Sequence, residues 1–348
     1  MTCLKRIRLF QFRNFKELDL EFGDGLNAII GPNAIGKTTL LEAIHFLSIG
    51  RSFRTNKLQE IIKKGEENFT IQAFFSKDGV DQTLSIFYDG TNKEIKHNQT
   101  SYNSFTPLLG LFPTVIYSPF DIELIHGAPP ERRRFINILI AQANPLYVYY
   151  LTRYTKALAH RNALLRKKQL STIEIWEDDL IKSALFIQEK RAEVIQILSL
   201  RTKDFYKELS NGAEEVQLHY KPSKISNQIF EKSRERELAL GYSLLGPHRD
   251  DLDISLNELS AKNYGSEGQK RTIIAALKLA EKEHLGSAIL LIDDFGVHLD
   301  GTRKAKFEEK IASQNQLFLT SPFQLGGTMP AFFHFLENPP LAPILTRQ

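Results

Sequence analysis

Hydrophobic and polar residues alternate over short stretches at the start of the chain. Leu18-Asp19-Leu20-Glu21-Phe22 switches at every position, as a half-exposed strand does. Arg8-Leu9-Phe10-Gln11-Phe12 before it and the apolar run Leu26-Asn27-Ala28-Ile29-Ile30 after it complete three predicted strands within residues 5–30. Further on, 69–75 and 83–88 flank Lys77-Asp78-Gly79, a hairpin signal, and Asp89-Gly90-Thr91-Asn92 marks another turn, so 69–97 reads as more strands. From about 130 to 210 the spacing becomes helical, broken once at Asn144-Pro145. Leu151, Tyr154, Leu158 and Leu165 keep one side, whereas Arg153, Lys156, His160 and Lys167 fall on another face. A second helix is predicted from Ile173 to Leu209. Residues 210–240 are polar and poorly patterned. Strand signals return at 252–256, a long helix runs from Gln269 to a stop at Gly286, and Ala288-Ile289-Leu290-Leu291-Ile292 reads as a buried strand ending at Asp293-Asp294. There are no internal repeats and no low-complexity tract.

The strand 26–30 runs straight into Gly31-Pro32-Asn33-Ala34-Ile35-Gly36-Lys37-Thr38, and the residues from Thr38 to Leu47 have helical composition. Gly-x-x-x-x-Gly-Lys-Thr between a strand and a helix is the phosphate-binding P-loop; it aims backbone N–H groups and a helix N-terminus at an anion. Residues Gly31, Pro32, Asn33, Ala34, Ile35, Gly36, Lys37 and Thr38 are therefore predicted to bind a nucleoside triphosphate. Lys37 would reach the outer phosphates and the Thr38 hydroxyl would ligand magnesium. Ile289–Asp294 is a hydrophobic strand ending in two carboxylates, a Walker B motif. Asp293 is expected to hold magnesium through a water, and Asp294 to orient or deprotonate an attacking water. Tyr264-Gly265-Ser266-Glu267-Gly268-Gln269 precedes this strand. Ser266, Gly268 and Gln269 stand at the start of the long helix, where a hydroxyl and backbone N–H groups would face a γ-phosphate; a plain serine N-cap is the bland alternative. P-loop, distant Ser-x-Gly-Gln, then Walker B is the order of the ATP-binding-cassette class, in which one subunit's signature completes another's site. Leu299-Asp300 stands at the class's D-loop position. Thr320-Ser321 stands where transporters carry a switch histidine, and there is no histidine there.

The P-loop and the acidic motif lie some 255 residues apart. The chain ends must fold together, which predicts a discontinuous ATPase domain from 1–118 and 241–348. Residues 119–240 then form a mostly helical second lobe with a basic face.

The 348-residue chain has one cysteine, Cys3, which excludes an internal disulfide and a cysteine-built zinc site and fits a reducing cytosol. No apolar run approaches the roughly 20 residues of a membrane helix, and the first residues carry no secretion signal; the expected location is cytoplasmic. The net charge of +4 conceals an asymmetry. Between 131 and 170 there are nine Lys or Arg against one acid, Glu131. That segment is therefore +8 and the remainder −4, a distribution that points to a polyanion partner.

Taken with these motifs, Phe12-Arg13-Asn14-Phe15, Gly50-Arg51-Ser52-Phe53-Arg54-Thr55, Tyr117-Ser118-Pro119, Pro130-Glu131-Arg132-Arg133-Arg134-Phe135 and Leu245-Gly246-Pro247-His248-Arg249-Asp250-Asp251-Leu252 resemble the RecF family, bacterial recombination-repair ATPases related to the heads of SMC and Rad50 proteins. The resemblance covers nearly the whole chain. It implies an α/β fold: an ABC-type P-loop ATPase head with a mixed sheet, a short helical second lobe and no long coiled coil. It implies ATP and Mg2+ as cofactors and an ATP-driven homodimer that clamps double-stranded DNA near single-strand gaps and junctions. The implied partners are RecO and RecR and, through them, RecA, with slow, DNA-stimulated ATP turnover. Arg132, Arg133, Arg134, Arg153, Lys156 and Lys167 become candidate DNA contacts, since Arg and Lys give sequence-independent phosphate affinity. A solvated helix face is the alternative. For arginines 132–134, and for Arg51 and Arg54, contact with ATP or a partner head also stays open. His248, Arg249 and Asp250 either serve the site or pair with one another. The chain departs from the family at Val297-His298, where Ser or Ala then Glu is usual, and at Ile136-Asn137, where Leu-Asp is usual. Rival readings are an SMC or Rad50 head, for which 150–210 is too short; a transporter ATPase, which the basic lobe does not suit; and an ATP-binding scaffold without significant turnover.

Overall fold

The structure, a computed structural model, describes residues 2–210, 212, 214–294, 301–312, 315–321 and 331–336. β1 (Thr2–Phe12) and β2 (Phe15–Glu21) form a hairpin, followed by β3 (Leu26–Ile30) and α1 (Lys37–Ile49). Next come β4 (Phe69–Lys77), β5 (Val80–Tyr88), β6 (Lys93–His97), β7 (Thr100–Tyr102) and β8 (Thr114–Tyr117). The helical stretch holds α2 (Glu123–His126), α3 (Pro129–Ala143), α4 (Pro145–Lys167) and α5 (Ile173–Ser210). Then β9 (Val216–Lys221), α6 (Asn227–Leu240), β10 (Asp251–Leu256), β11 (Leu259–Ser260) and α7 (Ala261–Tyr264) lead to α8 (Glu267–Leu285), β12 (Ile289–Ile292), α9 (Gly301–Ala312), β13 (Leu317–Ser321) and β14 (Ala331–Phe335).

Three sheets result. The order β2-β1-β4-β5-β6-β7 makes an antiparallel meander with one crossover, and the order β11-β10-β9 makes a small antiparallel sheet. The order β14-β3-β13-β12-β8 makes a parallel sheet in which the first and last parts of the chain interleave. Parallel strands are covered on both faces, and β12 shows why its run is uniformly apolar. Ile289 and Leu291 face one core, shared with α1 and the meander, while Leu290 and Ile292 face a second, shared with α3, α4, α5 and α8. α1 lies between the two sheets, so its buried residues run from Thr39 through Ile49 on nearly every side.

The helical stretch follows the breaks read from sequence. Pro145 stands at the first turn of α4, and Asn144 caps that helix by accepting from Leu146 N and Tyr147 N. α5 has 38 residues, about 57 Å at ~1.5 Å per residue. It packs against α4, α8 and β9 and does not extend into a long coiled coil. The weakly patterned residues 210–240 contain β9 and α6. β9 is recognised only through its partner β10, 30 or more residues on, with Leu218 opposite Ile254 and Val216 opposite Leu256. α6 is started by Ser226, whose hydroxyl accepts from Ile229 N, and stopped by Gly241 in left-handed conformation.

Candidate nucleotide site

From β3 the chain turns through 31–36 into α1. Gly36 has φ +118, and a Cβ there would lie 2.5 Å from Phe15 Cζ and 2.7 Å from Asn14 Nδ2, so only glycine fits. Asn14 also donates to Ile35 O at 2.8 Å. The β1–β2 turn thus grips the loop from outside, which gives the Phe-Arg-Asn-Phe segment a physical role. Lys37 Nζ donates to Gly31 O at 2.7 Å and to Pro32 O at 2.9 Å. Burial lowers its pKa, opposed by the nearby Asp294 and Asp293 carboxylates.

The parallel pairing of β12 brings Asp293 to the P-loop. Its N–H donates to Tyr117 O at 2.8 Å. Thr38 Oγ1 stands 2.9 Å from both carboxylate oxygens, and Thr320 Oγ1 donates to Oδ1 at 2.8 Å. Burial pushes the Asp293 pKa up, while the two hydroxyls pull it down. A threonine hydroxyl and a carboxylate form an all-oxygen set that suits a hard cation such as Mg2+. Asp294 lies in left-handed backbone, φ 52, with its N–H donated to Thr320 Oγ1 at 2.8 Å. It shares with Asn33, Lys37, Thr38, Arg13 and Arg54 the wall of an open pocket of about 720 Å³.

Two of these wall residues are held by a carboxylate absent from the sequence reading. Glu42 on α1 has no exposure. It accepts from Arg13 at 2.6 and 3.1 Å, from Ser52 Oγ at 2.5 Å and from Arg54 at 3.2 Å. A buried acid needs such donors, and a glutamate inside the apolar P-loop helix is the signal that points to it.

Ser266 caps α8 in a reciprocal box: its hydroxyl accepts from Gln269 N at 3.2 Å and its N–H donates to Gln269 Oε1 at 2.6 Å. Gln269 Nε2 also donates to Glu214. Ser266 and Gly268 are exposed, Tyr264 is 71% exposed, and none of the signature residues lines the P-loop pocket.

The basic candidates divide. Arg132 makes a two-pronged pair with Asp251 at 2.8 and 3.0 Å. Arg133 donates to Asp250 O at 2.8 Å, Arg134 to Ser52 O at 3.1 Å, and Arg153 pairs with Asp179. Lys156 and Lys167 are exposed. Arg161, counted in the same basic segment, is fully buried against Glu177 and Glu237. His248, Arg249 and Asp250 do not pair with one another. His248 meets Tyr154 OH at 2.6 Å, Arg249 lies over the Tyr242 ring, and Asp250 pairs with Arg191. Val297-His298 and Leu299-Asp300 lie outside the described residues, as does the proline-rich stretch 339–343. Among the described residues no helix is long and apolar enough to cross a membrane.

A family model described as the RecF/RecN/SMC N terminal domain matches residues 3–324. The DNA replication and repair protein RecF of Protochlamydia amoebophila is 40% identical over 335 residues, covering 91% of this chain and 93% of that protein. Among solved structures, the RecF-ATPrS form of the recombination mediator protein in the RecFOR pathway superposes with a TM-score of 0.88 at 32% identity, covering 99% of this chain and 98% of that one. The Smc head domain of Pyrococcus furiosus, with an extended coiled coil and bound to the C-terminal domain of ScpA, gives 0.56 at 17% identity over 97% and 94%, a likeness of fold alone. With an ABC-type head, a P-loop bonded to a Walker B aspartate and relatives matched from end to end, the chain belongs to the RecF family of DNA replication and repair proteins.

Proposed function

We propose that this chain is an ATP-dependent DNA-binding recombination-repair ATPase whose ATP-bound form is a homodimer. The observation that carries the reading is the separation of two half-sites. Lys37, Thr38 and Asp294 line one pocket, with Asp293 buried behind Thr38 and hydrogen-bonded to it, whereas Ser266 and Gly268 stand exposed at a helix N-terminus away from that pocket. An exposed Ser-x-Gly-Gln suits the closing of a second copy's site, with ATP between them.

In this reading Lys37 turns from the Gly31 and Pro32 carbonyls to the outer phosphates, and the loop N–H groups and the α1 N-terminus hold the rest. Thr38 and Asp293 would hold Mg2+, which neutralises charge on the phosphate oxygens. Asp294 orients the attacking water and accepts its proton. Residues 1–118 with 241–348 act as the ATPase domain and 119–240 as the second lobe. The dimer clamps duplex DNA near single-strand gaps and, with RecO and RecR, promotes RecA loading; DNA stimulates a slow hydrolysis. The RecFOR context of the similar RecF structure supports the partner assignment. Lys156 and Lys167, exposed on the second lobe, are the DNA contacts we favour, because the four arginines already have protein partners.

Light scattering with and without ATP and magnesium tests the core of this reading, with Asp294→Asn run alongside to hold the bound state. A mass that doubles only with ATP, and that then retains duplex DNA in a salt-sensitive way, is the expected result. ATP bound to a protein that stays monomeric at every concentration would overturn the dimer mechanism.

A further inference from the structure

Both Walker B aspartates, one through its carboxylate and one through its backbone N–H, are tied to one buried hydroxyl on a different strand. Thr320 is fully buried at the C-terminal end of β13, which runs parallel between β3 and β12. Its Oγ1 donates to Asp293 Oδ1 at 2.8 Å and accepts the Asp294 N–H at 2.8 Å. A threonine hydroxyl has one proton and two lone pairs, so this one serves both neighbours at once in a single orientation.

Each bond holds a different part of the site. Among the described residues, the Asp293 carboxylate accepts from two hydroxyls, those of Thr38 and Thr320. With Thr38 also committed to a cation, Thr320 would be a second donor that keeps Asp293 in its rotamer. Asp294 sits at φ 52, a conformation that favours glycine and in which a non-glycine residue persists only when its surroundings impose it. The bond from its N–H to Thr320 imposes it, and thereby sets the direction in which the Asp294 carboxylate leaves the strand.

We infer that Thr320 is the positioning residue of this site: its hydroxyl orders Asp293 for the cation and Asp294 for the attacking water. It touches neither substrate nor reacting atoms. This rests on the nucleotide site proposed above and deepens it.

Thr320→Val removes the hydroxyl and keeps the shape; Thr320→Ser keeps the hydroxyl. Four quantities are read on full-length protein shown by thermal melting to be folded: the magnesium concentration at half-maximal gain in binding of a fluorescent ATP analogue, the binding of that analogue in EDTA, and the steady-state kcat and KM for ATP. Thr320→Val is expected to raise the magnesium midpoint about tenfold and to lower kcat at least tenfold. KM should move less than threefold, and binding in EDTA should be unchanged. Thr320→Ser is expected within threefold of wild type in all four. A folded Thr320→Val with the wild-type midpoint and kcat overturns the inference alone, as does a Thr320→Ser as impaired as the valine variant. A wild type that shows no magnesium-dependent gain in nucleotide binding overturns the site reading and this inference together.

Discussion

Arg191 Nη1 and Asp250 Oδ2 stand 2.7 Å apart, both almost wholly removed from water. Asp250 also accepts from Gln188 Nε2 and Ser223 N, at 2.9 and 2.7 Å, and from Tyr220 OH. Arg191 donates further to Pro247 O at 2.7 Å, Asn137 Oδ1 at 3.0 Å and Tyr147 OH at 3.1 Å. One pair thus fastens α3, α4, α5, β9 and the Gly-Pro-His-Arg-Asp-Asp turn together. Removing one member of a buried pair leaves the other charge without a partner, at a cost of ~3–5 kcal/mol. Asp250→Ala is therefore expected to lower unfolding free energy by that amount in urea titration. Asp251→Ala, whose pair with Arg132 is partly exposed, should cost less. Equal, small losses would show that the pair is not a structural centre.

Acid should weaken the fold through buried histidines. His45, hydrogen-bonded to Thr114 Oγ1 at 2.8 Å, is pushed down to about 3 by burial, with Lys278 and Arg134 adding repulsion. His334 is pushed down to about 4 by burial. Folded values below the unfolded value of 6.5 mean that the unfolded chain takes up protons first. The stability these residues confer is therefore complete above about pH 6.5 and falls as pH drops toward 4 and 3. At pH 5.5 each histidine costs about 1.4 kcal/mol relative to pH 7.5. Urea midpoints at the two pH values should show this loss, and His45→Gln should remove about half of the part due to this pair.

Lys37 should behave as a residue kept for binding at some expense of stability. Its ammonium is partly desolvated, lies on two loop carbonyls and has no ion pair in the described structure. Lys37→Met keeps the stem and deletes the charge. We expect an unchanged or slightly higher melting temperature together with ATP binding at least tenfold weaker, since hydrogen bonds to a charged group are worth ~1.5–3 kcal/mol. Calorimetric titration and a melting curve on the same sample read both. Wild-type affinity in the methionine variant would remove Lys37 from the phosphate site.

Short-range signals carried much of this fold. Gly36-Lys37-Thr38 between an apolar run and a helix, Asp78-Gly79 between alternating runs, and Pro145 after Asn144 each encode their own geometry within a few residues, and the strands, hairpin and helix break lie where these signals place them. What did not read out depends on partners far along the chain. β9 has no strong pattern of its own because only β10 supplies its pairing. The arginines at 132 and 133 look like free charge because Asp251 and the Asp250 carbonyl are 119 and 117 residues away. Arg161 counts as positive in composition, yet its charge is met inside the protein by two glutamates. Thr320 is marked in sequence only by its place where a switch histidine would stand, and Glu42 only as an acid within an apolar helix; what each one bonds is set by three-dimensional packing.

Ser266 has two roles that substitutions can separate. As N-cap of α8 it satisfies the Gln269 N–H, and losing that acceptor in Ser266→Ala should cost ~1 kcal/mol. Asp is as good an N-cap as Ser, and its charge favours a helix N-terminus, so Ser266→Asp should melt within a degree or two of wild type. The proposed second role is contact with the γ-phosphate on a partner copy. There a carboxylate opposes the phosphate charge, so Ser266→Asp should bind ATP through its own P-loop with wild-type affinity and yet remain monomeric with ATP and magnesium. Light scattering beside a melting curve distinguishes the roles. A stable aspartate variant that fails to dimerise places Ser266 at the phosphate, because capping alone predicts no defect. An aspartate variant that dimerises like wild type confines Ser266 to capping and moves the search for the dimer contact to other residues of the exposed α8 N-terminus.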